Sequence, residues 1–192
     1  MSSISPDVPL PCVLVLASGR GERFRTSGGQ VHKLAAMLEG RCVLEHTLAA
    51  VRTSGLPWHL EDAGHPGMGD SIAAAVRATP EAAGWLVLPG DLPLVQAGTL
   101  RAIAVTLASG AEVVAPVFGG QRGHPVGFAA ALGPQLMALT GEQGASVLLR
   151  AAAQRGALLS LPVEDCGVVT DIDTLADLER AASLLRARCQ AR

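Results

Sequence analysis

Residues 12–34 read CVLVLASGRGERFRTSGGQVHKL, and the reading of this stretch decides the fold. Cys12 to Ala17 is uncharged and rich in branched side chains, then breaks at Ser18-Gly19-Arg20-Gly21. An apolar run that stops so abruptly is the pattern of a buried parallel strand handing over to a backbone loop. Positive charge fills the loop, with Arg20, Arg23, Arg25 and Lys33 in one short segment. Glycines at 19 and 21 let backbone N–H groups turn toward an anion with no Cβ in the way, so the expectation is a polyphosphate cradle. Of the 15 basic residues only Lys33 is a lysine. A compact ammonium on a flexible stem suits a group that must follow phosphate oxygens as charge moves.

Working outward, apolar spacing predicts a helix over 43–54 that stops at Gly55-Leu56-Pro57, a brief strand over 58–60 and a turn over 64–67. A second helix is expected over 71–79, with Asp70 or Ser71 as N-cap. The strand over 85–88 is closed by Pro89-Gly90-Asp91-Leu92-Pro93. Then follow a helix over 99–108, a strand over 112–117, an extended piece over 125–128, helices over 134–139 and 145–154, and a strand over 157–161. A short extended piece over 167–170 precedes a final amphipathic helix opened by Thr174, with Asp177 in a capping-box-like position. Strands alternating with helices predict a mostly parallel sheet covered on both faces. Ligands of such sheets bind beyond the carboxyl ends of the strands, where Gly19 and Asp91 both fall. The chain reads as a loose Pro- and Ser-rich leader over 1–11 and a single domain over 12–192.

Composition narrows the function classes. Hydrophobic residues make up 49% and charged residues 17%, so a sizeable core is expected rather than disorder. Aromatics are 3% with no Tyr, and the net charge is −2, which together argue against nucleic-acid binding. Cys12, Cys42, Cys166 and Cys189 are far apart with no C-x-x-C pair, as expected of reduced thiols. No apolar run approaches the roughly 20 residues of a membrane span, so no membrane partner and a cytoplasmic location are expected.

Five groups of residues carry candidate chemistry. The first loop lacks the third glycine of a dinucleotide fingerprint, where Phe24 stands, and Lys33 is too far from Gly21 for a P-loop. Asp91 sits on a stiff turn after a strand, a posture for a Mg²⁺ ligand or for capping a turn. Asp171 and Asp173, two apart on an extended segment, face one side as a second metal contact or as helix caps. Gly67-Met68-Gly69-Asp70-Ser71 permits close backbone approach, with Ser71 contacting a nucleotide or capping a helix. His124, in Arg122-Gly123-His124-Pro125-Val126-Gly127-Phe128, reads by itself as a structural turn residue beside proline. His32, His46, His59 and His65 show no ligand spacing and read as structural or exposed.

The loop L-A-S-G-x-G-x-R-F followed by K-L resembles that of the nucleotidyltransferases of the sugar-nucleotide and molybdenum-cofactor type, with Ser18 where Ala or Gly is usual. G-D-x-P at Asp91, G-M-G-x-S at 67–71, G-H-P-V-G-F at 123–128 and T-G-E-Q-G-A at 140–145 extend the resemblance to the MobA-like NTP transferase family. Among its members the molybdenum cofactor cytidylyltransferase (MocA-like) branch is the most similar. The resemblance implies a Rossmann-like three-layer α/β fold that transfers CMP from CTP to molybdopterin-bound molybdenum, forming a cytosine dinucleotide cofactor and releasing pyrophosphate. It implies that Gly19, Gly21 and Arg23 hold the β- and γ-phosphates, with Lys33 against the α-phosphate. Ala17, Ser18, Gly69 and Ser71 would also contact the nucleotide. Asp91 with Asp171 or Asp173 would hold Mg²⁺, His124 would face the molybdopterin-type acceptor, and a molybdenum hydroxylase would receive the product. Two alternatives stay open: GTP in place of CTP, and a non-catalytic nucleotide or cofactor carrier. The family usually carries a strand, a helix and another strand where this chain has nine residues between Pro57 and Gly67, so a shortened sheet edge is expected.

Overall fold

The computed structural model describes residues 10–19 and 21–190. Arg20 and most of the expected leader lie outside the described residues, while Leu10 and Pro11 already pack on the folded body. The elements are β1 (Cys12–Leu16), α1 (Glu22–Thr26), a 3-10 turn (Lys33–Ala35), β2 (Met37–Leu38), β3 (Arg41–Cys42), α2 (Val43–Ser54) and β4 (Trp58–Glu61). They continue with α3 (Met68–Arg77), β5 (Gly84–Pro89), α4 (Ala97–Ala108), β6 (Val113–Phe118), β7 (Gln121–Arg122) and β8 (Val126–Ala129). The last are α5 (Gly133–Met137), α6 (Ser146–Gln154), β9 (Leu158–Pro162) and α7 (Leu175–Gln190).

β1 is the hub, because each of its five residues is buried and it pairs in parallel with β4 on one side and β5 on the other. The sheet order is β4-β1-β5-β8-β6-β7, with β9 paired to β6. β8 is antiparallel to both β5 and β6, so those two run alike. Five of the seven strands therefore share one direction, the mostly parallel sheet that the alternation predicts. Alternate side chains of β1 feed opposite faces. Leu14 and Leu16 pack with Ile72, Val87, Phe128 and Leu136 under α3, α5 and α6. Val13 and Val15 pack with Leu48, Val51, Leu88 and Ile103 under α2 and α4. Each such side chain contributes about 1.5–3 kcal/mol on leaving water, which makes the strand ends a rigid platform.

A third cluster matters more for function. Phe24 of α1, Leu34, Leu38 and Leu94 pack with Ile172 and with Ala181 of α7. This small core fastens the 171–173 segment beside the first loop. The short α1 and the β2/β3 hairpin went unpredicted; Phe24 is the only buried residue of α1, too little for a periodicity.

Two local expectations are corrected. The helix expected from residue 71 starts at Met68, with Gly67 as N-cap, so Asp70 and Ser71 lie in its first turn. The close backbone approach expected of Gly67 and Gly69 is made to the protein's own chain: a Cβ on Gly67 would come within 2.4 Å of Gly141, and one on Gly69 within 2.7 Å of Thr140. The extended piece expected over 167–170 is instead largely a 3-10 turn (Cys166–Val169), capped by Asp165, whose carboxylate accepts from the Gly167 N–H at 3.0 Å. The capping box forms as expected: the Thr174 N–H donates to Asp177 at 2.8 Å and the Asp177 N–H to Thr174 Oγ1 at 3.2 Å. At the sheet edge, β4 is followed by α3 after residues 62–67, with no strand between them.

Candidate nucleotide site at the strand ends

The cleft opens where β1 and β5 end. The Gly90 N–H donates to Leu16 O at 2.9 Å, and the buried Thr47 hydroxyl donates to Gly90 O at 3.0 Å, so the peptide ahead of Asp91 is held from two sides. The Ile172 N–H donates to Asp91 O at 3.0 Å, which brings the 171–173 segment alongside. In the loop after β1, Gly21 adopts the left-handed conformation (φ 64°) as N-cap of α1, a position open to glycine at little cost.

Lys33 sits at the centre. Its ammonium donates to Asp91 Oδ2 at 2.6 Å and to Asp173 Oδ1 at 2.9 Å, and Arg23 Nη1 meets Asp173 Oδ2 at 2.6 Å. Lys33, Asp91 and Asp173 expose only 13–17% of their side chains, whereas Arg23 exposes 78%. Burial opposes the Lys33 charge, but Asp91 and Asp173 together outweigh it and hold its pKa above the ordinary lysine value. Asp91 Oδ1 is buried with no hydrogen-bond partner among the described residues. Such an orphaned lone pair, a few ångströms from a second carboxylate, fits a cation better than it fits solvent-free protein. Among the described residues no three His, Cys, Asp or Glu side chains converge as metal ligands. That donor set matches Mg²⁺, which takes one or two carboxylates and completes its shell from phosphates and water. Asp171 is exposed and makes no ion pair among the described residues. Crowding on its inner side raises its pKa, reinforced by Asp173 and Asp91.

His124 is exposed, and its backbone N–H donates to Val168 O at 2.8 Å. Dense surroundings lower its pKa against the fields of Asp91 and Asp171, so its imidazole is neutral beside those carboxylates. It also borders a largely apolar cavity of about 290 Å³ between α3, α6 and the ends of β5 and β8, lined by Ile72, Val87, Val126, Phe128 and Leu149.

The main cleft, about 420 Å³, runs from Gly19, Gly21, Arg23 and Lys33 to His65 and Gly67. Ser18 lines it, and its hydroxyl lies 2.6 Å from that of Ser71. Ser71 Oγ also lies 3.2 Å from Gly67 O, so the two hydroxyls are tied to each other and to the start of α3. Ser71 and Gly69 are themselves buried; Gly69 donates to Gly141 O at 2.7 Å and serves packing. Ala17 is half-buried with its N–H on Glu61 O at 2.8 Å.

The structure thus joins Arg23, Lys33, Asp91 and Asp173 in one charged cluster, with Ser18, Gly19 and Gly21 along the same cleft. Three residues read as structural or exposed take part. The Leu34 N–H donates to His32 Nδ1 at 3.3 Å, which leaves the proton on Nε2; that nitrogen donates to Gly19 O at 2.6 Å and braces the loop. His65 lines the cleft and bonds Glu61 Oε1 at 3.0 Å, and His59 bonds the other oxygen at 3.4 Å. The only sequence signal for His32 is its place next to Lys33; nothing in the spacing marks Glu61.

A doubly flanked, mostly parallel sheet with a glycine- and cation-lined cleft beyond β1 and paired carboxylates beyond β5 defines an α/β nucleotidyltransferase. The chain matches the MobA-like NTP transferase domain over residues 49–157, more than half its length, and it belongs to that family. The matched part holds Asp91 and His124 but not the first loop or Asp173. A bifunctional protein GlmU from Stenotrophomonas maltophilia is 32% identical over 113 residues, 46% of this chain. That match spans about a quarter of the length of the curated relative, 24%. A nucleotidyl transferase from Methanothermobacter thermautotroptrophicus superposes with a TM-score of 0.78 at 23% identity, covering 93% of this chain and 99% of its own. Molybdopterin-guanine dinucleotide biosynthesis protein A from Archaeoglobus fulgidus gives 0.62 at 19%, covering 92% and 99%. At these identities the superpositions speak for the fold.

Proposed function

We propose that this nucleotidyltransferase moves CMP from CTP to molybdopterin-bound molybdenum. In the transfer an acceptor phosphate oxygen bonds to the α-phosphorus as the bond to the leaving pyrophosphate breaks. The observation that carries the reading is the Lys33 ammonium set between Asp91 and Asp173 in the same cleft as the Gly19–Gly21 loop. Cations on one wall and carboxylates on the other divide the work of a triphosphate site. Gly19, Gly21 and Arg23 take the β- and γ-phosphates, and Lys33 follows the α-phosphate as its charge grows. Asp91 and Asp173 would hold Mg²⁺, which when bound neutralises phosphate charge. A phosphate acceptor is already ionised, so no side chain need remove a proton, and positioning supplies much of the barrier reduction. His124, neutral and next to Asp91, faces the acceptor, and the apolar cavity behind it has room for the acceptor's body. We place the reaction in the cytoplasm, with a molybdenum hydroxylase as recipient.

Ser18 lines the cleft, and its hydroxyl oxygen can accept from a base amino group such as that of cytosine. Guanine carries one too, and the Archaeoglobus fulgidus protein is by its title a guanine dinucleotide protein, so GTP is the second reading. The carrier alternative requires a lost site, and the clustering of Arg23, Lys33, Asp91 and Asp173 speaks against it. The test is pyrophosphate release with Mg²⁺ and each common ribonucleoside triphosphate, with and without molybdenum-loaded molybdopterin. Release with CTP only when the acceptor is present supports the proposal; release with GTP instead selects the second reading. Silence with every triphosphate, from folded protein, refutes both.

A further inference from the structure

The Lys33 ammonium occupies the place where a divalent ion would bridge the two carboxylates. It lies 2.6 Å from Asp91 Oδ2 and 2.9 Å from Asp173 Oδ1. A magnesium ion held by the same two carboxylates would need the space that the ammonium fills. Two positive centres cannot share a slot so little exposed, because solvent does not screen them there. The ammonium also leaves one acceptor unserved: Asp91 Oδ1 is buried without a partner among the described residues. The stem has somewhere to go. It passes Gly21, where a Cβ would stand 3.5 Å from Lys33 Cγ, and Lys33 lines the cleft shared with Gly19 and Gly21. A four-carbon stem bearing a point charge can swing between partners, which a planar arginine fork held by two carboxylates does less readily.

We propose that Lys33 is the resident cation of the free protein, and that a divalent ion reaches Asp91 and Asp173 only as the ammonium moves onto triphosphate oxygens. Metal and nucleotide then bind well together and poorly apart. Exchange also keeps the carboxylate pair neutralised in both states, so neither charge is left bare when the cleft is vacant of substrate. The triphosphate half of this rests on the transferase reading; the competition for the carboxylates does not.

Mn²⁺ titration read by electron paramagnetic resonance, without nucleotide, tests the competition. Charge-assisted hydrogen bonds are worth about 1.5–3 kcal/mol, so Lys33→Met should bind Mn²⁺ about tenfold to a hundredfold tighter than wild type. Adding Asp91→Asn to that variant should abolish the gain. Because Lys33 is the only lysine, wild-type protein made with ¹⁵Nζ-lysine carries one side-chain ammonium resonance, which needs no variant to fold. That signal should stay put with the non-hydrolysable methylene analogue of CTP alone or with millimolar Mg²⁺ alone, and shift when both are present. Equal Mn²⁺ affinity in folded Lys33→Met and wild type, or an unmoved resonance with both ligands, overturns the proposal. Tighter Mn²⁺ binding in a variant set whose wild type releases no pyrophosphate would leave the exchange standing and the transferase reading fallen.

Discussion

Two carboxylates with cationic partners, Asp165 and Asp91, are finished differently. Asp165 exposes 3% of its side chain and accepts from the Gln96 N–H at 2.8 Å, Thr99 Oγ1 at 2.8 Å, Gln96 Nε2 at 3.2 Å, the Gly167 N–H at 3.0 Å and Arg188 Nη2 at 3.1 Å. Arg188 uses its other nitrogen on Leu94 O at 2.6 Å, so both partners are fully engaged. Among the described residues Asp91 has one ammonium, and its Oδ1 has no partner. A satisfied carboxylate held by an arginine fork ties α4, the 3-10 turn and α7 together. A carboxylate with a spare lone pair and a mobile lysine is built to take something else. The contrast separates a fastening from a site without appeal to any relative.

Four variants break or sharpen that contrast. Asp91→Asn has the largest expected effect: pyrophosphate release falls by about three orders of magnitude, several kcal/mol of transition-state stabilisation at 1.4 kcal/mol per tenfold. Its thermal midpoint should stay within a few degrees of wild type; a collapse instead would put Asp91 in the same class as Asp165. Asp165→Asn should do the reverse. Removing one partner of a buried ion pair costs about 3–5 kcal/mol, read by urea unfolding, while kcat of the folded fraction stays within about twofold. His32→Ala frees the Gly19 carbonyl, and the resulting looseness should raise KM for the triphosphate about tenfold with little change in stability. An unchanged KM would reduce His32 to packing.

The smallest effect concerns Glu61. Burial pushes its pKa up, but hydrogen bonds from His65, His59 and the Ala63 N–H win and hold it below the ordinary value of 4.5. A depressed folded pKa means the contribution to stability is present above pH 4.5 and is lost as pH falls through the folded value. Glu61→Gln should therefore melt a few degrees below wild type near pH 7, and the gap should close toward pH 4. A gap that widens in acid would show that Glu61 is held in its protonated form.

Most strands and helices were legible because their signals are local: unbroken apolar runs in β1 and β5, helical spacing in α2, Gly55 after α2 and the Thr174/Asp177 box before α7. What failed was also local, but misread. The close approach that glycines at 67 and 69 permit has no visible object until the 140–142 backbone is placed against them, and then they are the condition for starting α3 early. Loop elements with one buried residue, such as α1, leave no period to detect. In the site, residue types were readable and partnerships were not. Asp171 and Asp173 were interchangeable in sequence, and only the packing of Ile172 between them turns Asp173 toward Lys33 and leaves Asp171 exposed.

By itself the sequence determined the buried strand that ends in a glycine-rich cationic loop, the stiff Asp91 turn, and the choice of a single lysine. Those follow from neighbours along the chain: side-chain branching, glycine freedom and proline rigidity act over a few residues. Tertiary structure alone decided that Lys33 meets Asp91, 58 residues away, and Asp173, 140 residues away. It alone decided that His32 braces Gly19 and that Ser18 meets Ser71. Such contacts depend on which strand ends the sheet order brings together, and no pattern of near neighbours encodes that order.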